Sequence, residues 1–104
     1  MQAKQIAEIL AQYKKHGWIL RRVLLSDDLR AHLDNESGEL FGDAPIIASP
    51  LNAVWFSRCS KNGEAWELRR LSETPYALFE MFSEEDEEEV REEARREMEA
   101  RMLK

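Results

Sequence analysis

Hydrophobic positions along this chain follow two different periods. Ile6, Ile9, Leu10 and Tyr13 recur at the spacing of one helix face, and polar residues fill the positions between them. This pattern predicts an amphipathic helix near the start of the chain. Residues 18–25, WILRRVLL, are rich in branched and aromatic side chains and form a run too short for a typical helix, so they predict the first strand.

A second helix and a long connection are predicted to follow this strand. A serine precedes two aspartates at residues 26–28, and a serine cap with acids in the first turn indicates a short helix over residues 27–34. Residues 35–50 contain two glycines and two prolines without a sustained period. They predict a connection in which residues 45–49 run partly extended along a sheet edge.

The next stretch predicts a β-hairpin. Residues 53–71, AVWFSRCSKNGEAWELRRL, contain two apolar runs joined by KNG. We expect a three-residue loop at residues 61–63 whose glycine is left-handed, which pairs Phe56 with Leu68 and turns Phe56 and Trp66 toward the core. A two-residue turn at the last two loop positions would mix apolar and charged side chains on both faces, so burial favours the longer loop.

The expected register also defines a candidate binding surface. It places Trp55 opposite Arg69 on the outer face, where a guanidinium stacked on an exposed ring contributes about 0.5–1 kcal/mol. Arg21 or Arg22 of the first strand would lie nearby, and the sequence leaves open which one, because neighbouring residues on a strand point to opposite faces. The simpler interpretation is a solvated sheet face on which these cations pair with acidic side chains, and we favour it over an anion-binding or peptide-binding face.

A third meander strand and a charged helix complete the predicted elements. Residues 76–82, YALFEMF, follow a proline and are apolar in both alternating sets, so we expect a strand covered on each side. Ser83 followed by acids predicts a helix over residues 84–103. Favourable Glu-to-Arg pairs four residues apart let this helix form with little tertiary support, as a protruding or dimer-forming arm. Its narrow apolar seam consists of Val90, Ala94, Met98 and Met102.

Together these elements predict an α+β fold in the order α-β-α-β-β-β-α. We expect an antiparallel sheet of about four strands, with one face covered by the first helix and a long charged helix at the C-terminus. At 104 residues, the length fits a single domain spanning residues 1–104.

Composition narrows the cellular setting and the classes of partner. Cys59 is the one cysteine, so no disulfide forms within the chain and a reducing cytoplasm is expected. No apolar run reaches the roughly 18 residues of a membrane span, which predicts no membrane association. The net charge of −6 makes nucleic acid an unfavoured partner, because proteins bind it mainly by neutralising phosphates.

Catalytic and metal-binding motifs are not evident in the sequence. Asp28, His32 and Glu36 are spaced by four, so a helix long enough to carry all three would align them for a divalent metal. The glycine and polar residues that follow favour a helix end and a solvated face instead. A nucleophilic site combining Cys59 with His32 is less favoured still. We therefore expect no metal and no cofactor, and a non-catalytic protein rather than an enzyme.

Two functional hypotheses from different classes remain. The leading one is a small protein-interaction module that forms a homodimer, or binds another protein, through the outer sheet face and the C-terminal helix. The alternative is a small-molecule or anion-binding domain that uses the exposed Trp55 and Arg69.

Overall fold

The computed structural model describes residues 1–104, the side chain of Asn35 excepted. The elements are, in chain order, α1 (Ala3–Lys15), β1 (Ile19–Leu25), α2 (Asp27–Leu33), a 3₁₀ turn (Asp34–Glu36), α3 (Ser37–Phe41), β2 (Ile46–Ala48), β3 (Ala53–Ser60), β4 (Gly63–Arg70), β5 (Ala77–Ser83) and α4 (Glu88–Leu103). The predicted α+β class with a C-terminal helix is confirmed.

The sheet differs from the predicted one in size and in direction. It has five strands in the order β2-β1-β3-β4-β5. Strand β2 lies parallel to β1, while the other neighbours are antiparallel. The prediction of a four-stranded, purely antiparallel sheet was therefore wrong. The two isoleucines after Pro45 were expected only to run along an edge, and they form a short edge strand there because β1 still has free backbone groups on that side.

Both faces of the sheet are covered. Helix α1 packs on one face, which we call the α1 face, over a core that includes Ile6, Val23 and Phe56. Helix α4 packs on the opposite face, the α4 face, over a second core that includes Trp55 and Leu68. Helix α4 was expected as a protruding or dimer-forming arm. It lies on its own sheet instead, with Met98 and Met102 buried in the second core.

The hairpin register is shifted by one residue from the predicted one. Ser60 pairs with Gly63 across a two-residue turn, and Trp55 pairs with Leu68 instead of Arg69. Since a one-residue shift exchanges the faces, Phe56 and Trp66 lie on opposite faces, and Trp55 is completely buried at 0% exposure. The prediction assumed that only one face would be buried. With α4 on the second face, large apolar side chains are accommodated on both.

Gly63 is required by the close approach of a neighbouring strand, and not by a left-handed backbone as predicted. A Cβ atom at this position would lie 1.9 Å from the carbonyl oxygen of Phe82. That backbone belongs to β5, which pairs with β4 from Gly63 onward. A residue that looks like a turn signal in the sequence therefore allows β4 and β5 to come together.

Two further boundaries differ from the predicted ones. The connection over residues 35–50 contains α3, which buries Phe41 in the first core. Helix α4 begins at Glu88 instead of residue 84, because Ser83 still belongs to β5. The hydroxyl oxygen of Ser83 accepts a hydrogen bond from the N–H of Glu85, and the backbone N–H of Ser83 donates to the carboxylate of Asp86. Ser83 therefore stabilises the turn after β5 and does not cap the N-terminus of α4.

We predict that Gly63→Ala lowers the free energy of unfolding by about 1–3 kcal/mol, because the added methyl group forces the strands apart. Gly38 in α3 is the matched control, since a methyl group added there would meet no other atom within 4 Å. Gly38→Ala should raise stability by up to about 1 kcal/mol through its better helix propensity. Urea unfolding of both variants tests this, and equal effects of the two substitutions would contradict the proposed contact.

Candidate functional site

Trp55 and Arg69, the centre of the predicted binding surface, lie on opposite faces of the sheet. Trp55 is buried beneath α4 and donates its indole N–H to Glu99 at 2.8 Å. Arg69 faces α1, near the bond between Tyr13 and Glu67, and donates to the carbonyl oxygen of Arg70. The exposed Trp/Arg face was therefore a wrong prediction, and the binding hypothesis that depends on it loses its structural basis.

The two arginines of β1 have separate roles. A bulge between Leu20 and Arg22 shifts the pairing of β1 with β3. Arg22 lies on the α4 face and forms a bidentate ion pair with Glu92 at 2.8 and 2.9 Å. The hydrogen bond from Arg22 lowers the pKa of Glu92 to about 2. Arg21 instead donates to the hydroxyl of the buried Ser57. Both arginines thus make side-chain contacts within the chain.

The apolar seam predicted for dimerisation divides into a buried and an exposed part. Met98 and Met102 are buried in the second core, and Ala94 packs partly against it. Val90 alone stays in solvent, at 55% exposure. Most of the seam is therefore occupied within the chain.

Arg95 is a buried charged residue that the sequence pattern did not indicate. It is 1% exposed and its guanidinium carbon lies 4.2 Å from the centre of the Trp66 ring. It forms ion pairs with Glu88 and Glu92 on its own helix. The periodic Glu/Arg pattern of this helix predicts side chains in contact with solvent. Only the structure shows that Arg95 is buried, because Trp66 of the opposing strand lies against it.

Arg69 lines an open cleft between α1 and the end of β4. The cleft has a volume of about 780 Å³, and its other charged residues are Glu8 and Glu73. Two carboxylates beside one guanidinium do not favour an anion. Tyr13 also lines the cleft, and burial together with its hydrogen bond to Glu67 raises the pKa of its phenol above the ordinary value.

One end of the sheet carries features that prevent strand addition. Strand β2 has three residues and is bracketed by Pro45 and Pro50. The part of β1 that extends past β2 contains the bulge and the two arginines. Short edges, prolines, bulges and charges are the usual means by which a sheet avoids pairing with other chains.

Strand β5 at the opposite end has fewer of these features, and its one charged side chain is the exposed Glu80. It spans seven residues, pairs with β4 without a bulge and contains neither proline nor lysine. The N–H of Arg70 donates to the carbonyl of Tyr76. Since bonded pairs alternate in an antiparallel ladder, the backbone groups of Ala77, Phe79 and Met81 point away from the sheet. These groups have no hydrogen-bond partner among the described residues.

Apolar side chains accompany these free backbone groups. Phe79 and Met81 are 53% and 49% exposed on the α1 face, beyond the area that α1 covers. The ring of Trp18 lies edge-on to Phe79 with centroids 6.5 Å apart, and Arg58 stacks over Trp18 at 4.7 Å. We call Trp18, Phe79 and Met81 the edge patch. Free backbone groups and the edge patch together form a surface that an extended segment can join.

Neither a metal-binding cluster nor a membrane-spanning helix is found among the described residues. Within the part of the chain that the structure describes, no three His, Cys, Asp or Glu side chains are grouped to hold a metal ion. His32 lies beside Gln2, and Cys59 is exposed. No described helix is both long and apolar enough to cross a membrane.

Comparisons of the chain with models of protein families, with curated proteins and with solved structures found no match. The function of this protein must therefore be inferred from the geometry of its own chain.

We predict that Glu92→Gln weakens the acid dependence of stability. The folded-state pKa of Glu92 lies below its ordinary value of 4.5, so its ion pair contributes fully above that pH and is lost as the pH falls toward about 2. The variant should have a lower urea midpoint at pH 7 and a smaller further decrease on acidification. Glu89→Gln, an exposed change of equal charge on the same helix, should keep the wild-type pH profile. Identical profiles for both variants would contradict this role of Glu92.

Proposed function

We propose that this protein is a non-catalytic interaction module that binds an extended protein segment as an additional strand on the edge of β5. The binding takes place in the cytoplasm, where an exposed thiol such as that of Cys59 stays reduced. Backbone hydrogen bonds from the edge would supply affinity, as in other cases of strand addition.

The observation that carries this proposal is the difference between the two ends of the sheet. Strand β2 and the first half of β1 combine short length, prolines, a bulge and arginines. Strand β5 combines free backbone groups with exposed apolar side chains. Monomeric proteins usually protect such an edge. An open apolar edge opposite a protected one supports a binding role for β5.

The edge patch supplies a basis for selectivity. Phe79 and Met81 are two residues apart and therefore lie on the same face, with Trp18 beside them. A segment added to β5 would place every second side chain next to this patch. We expect apolar residues at those positions of the partner, because they would cover surface that is now exposed to water.

A labelled peptide tests strand addition directly. The peptide has the sequence of residues 75–83 with a solubilising tail, and its binding is followed by fluorescence anisotropy. Met81→Pro removes an N–H that points away from β4, so it should weaken binding by at least roughly tenfold, or about 1.4 kcal/mol. The fold should persist, because the bonds between β4 and β5 remain.

Met81→Ala is the matched control, since it keeps the N–H and shortens only the side chain. It should weaken binding by no more than about threefold, which corresponds to less than 1 kcal/mol. Urea unfolding of each variant verifies that the sheet is intact. Equal affinities of the proline and alanine variants would show that the outer backbone of β5 is not the binding element.

A further inference from the structure

We propose that the segment joining β5 is the β5 strand of a second copy of this chain. The two strands would run antiparallel around a two-fold axis at Phe79 and would join two five-stranded sheets into one continuous sheet. This inference rests on the proposed function, because it names the partner of the same edge.

The free backbone groups on β5 form a span that is symmetric about Phe79. On one side the span ends at Pro75, which has no N–H to donate. On the other side it ends at Ser83, whose N–H donates to Asp86 and whose carbonyl accepts from Asp86 and Arg91. The span between these ends is centred on Phe79. A segment with this symmetry is complementary to itself in antiparallel orientation.

One register of the two β5 strands uses all of the free backbone N–H and carbonyl groups. With Phe79 opposite the second copy's Phe79, Ala77 lies opposite Met81, and each outward N–H faces an outward carbonyl. A shift of the second copy by two residues in one direction puts Glu80 directly opposite its own copy, and like charges at that position are destabilising. That shift also places Ala77 against Ser83, whose backbone groups are already bonded within the chain. A shift by two residues in the other direction places Met81 against Pro75, which has no N–H to donate. The register centred on Phe79 avoids these conflicts.

Side chains agree with this register on each face. On the α1 face the two Phe79 rings would meet across the axis, and the small Ala77 would sit beside the large Met81. On the α4 face Glu80 would lie opposite Leu78, away from the other Glu80. Exposed apolar surface at Phe79 and Met81 would thereby be covered.

Disulfide trapping in a Cys59→Ser background tests the register. Opposite residues that are not hydrogen-bonded lie about 4.5 Å apart at Cα, within the range of a disulfide. Mixing a Leu78→Cys protein with a Glu80→Cys protein under mild oxidation should therefore give the mixed disulfide in excess over either self-linked species. Self-linked Glu80→Cys as the main product would overturn the Phe79-centred register.

Sedimentation velocity from micromolar to near-millimolar concentration tests the identity of the partner. Wild-type protein should shift from monomer to dimer with rising concentration. Met81→Ala should still form a dimer but at higher concentration, because both copies lose part of the edge patch, and Met81→Pro should stay monomeric. A dimer that survives Met81→Pro would overturn the proposed interface.

The peptide of residues 75–83 separates failure of this inference from failure of the proposed function. A wild-type chain that remains monomeric at every concentration but binds the peptide would exclude a second copy as partner, while strand addition to β5 would stand. A chain that remains monomeric and does not bind the peptide would contradict both.

Discussion

Arg95 lies between α4 and the sheet, with its guanidinium over Trp66 and its charge paired with two glutamates of its own helix. A buried guanidinium without such partners would be strongly unfavourable, so this contact constrains how α4 lies on the sheet. Trp55 and Arg22 add polar contacts to the same helix through Glu99 and Glu92. The position of α4 determines which side chains of the sheet are interior, and through them the surfaces that remain for partners.

Because α4 covers the second face of the sheet, the surface that remains accessible to a partner is at the edge of the sheet and not on its face. With α1 on one face and α4 on the other, most side chains of the central strands β1 and β3 are buried in the two cores. Strand β5 remains open because it has a neighbour on one side only and because α1 does not extend over Phe79 and Met81. The interaction role proposed for β5 thus depends on where the two helices stop.

Several features of the fold were predictable because they depend on local patterns. The helical spacing from Ile6 to Tyr13 and the branched run before Ser26 correctly indicated α1 and β1. The Ser26 cap correctly indicated α2, and its hydroxyl accepts the N–H of Leu29. Residues 76–82 are apolar in both alternating sets, which predicted a strand covered on both faces. The prediction is correct for the α4 face of β5, where Phe82 is buried. The exposed Phe79 and Met81 show that coverage on the α1 face is incomplete.

The chain sequence determined the order and type of most elements, because hydrophobic period and capping act between residues close together in the chain. The strand pairing, the parallel placement of β2 and the burial of Trp55 and Arg95 were decided by tertiary structure. Each depends on energies of contact between distant segments. For the hairpin alone, burial of one face favours a register that differs by one residue from the register in the structure. The packing of α4 on the second face favours the observed hairpin register, because it allows apolar side chains to be buried on both sides of the sheet.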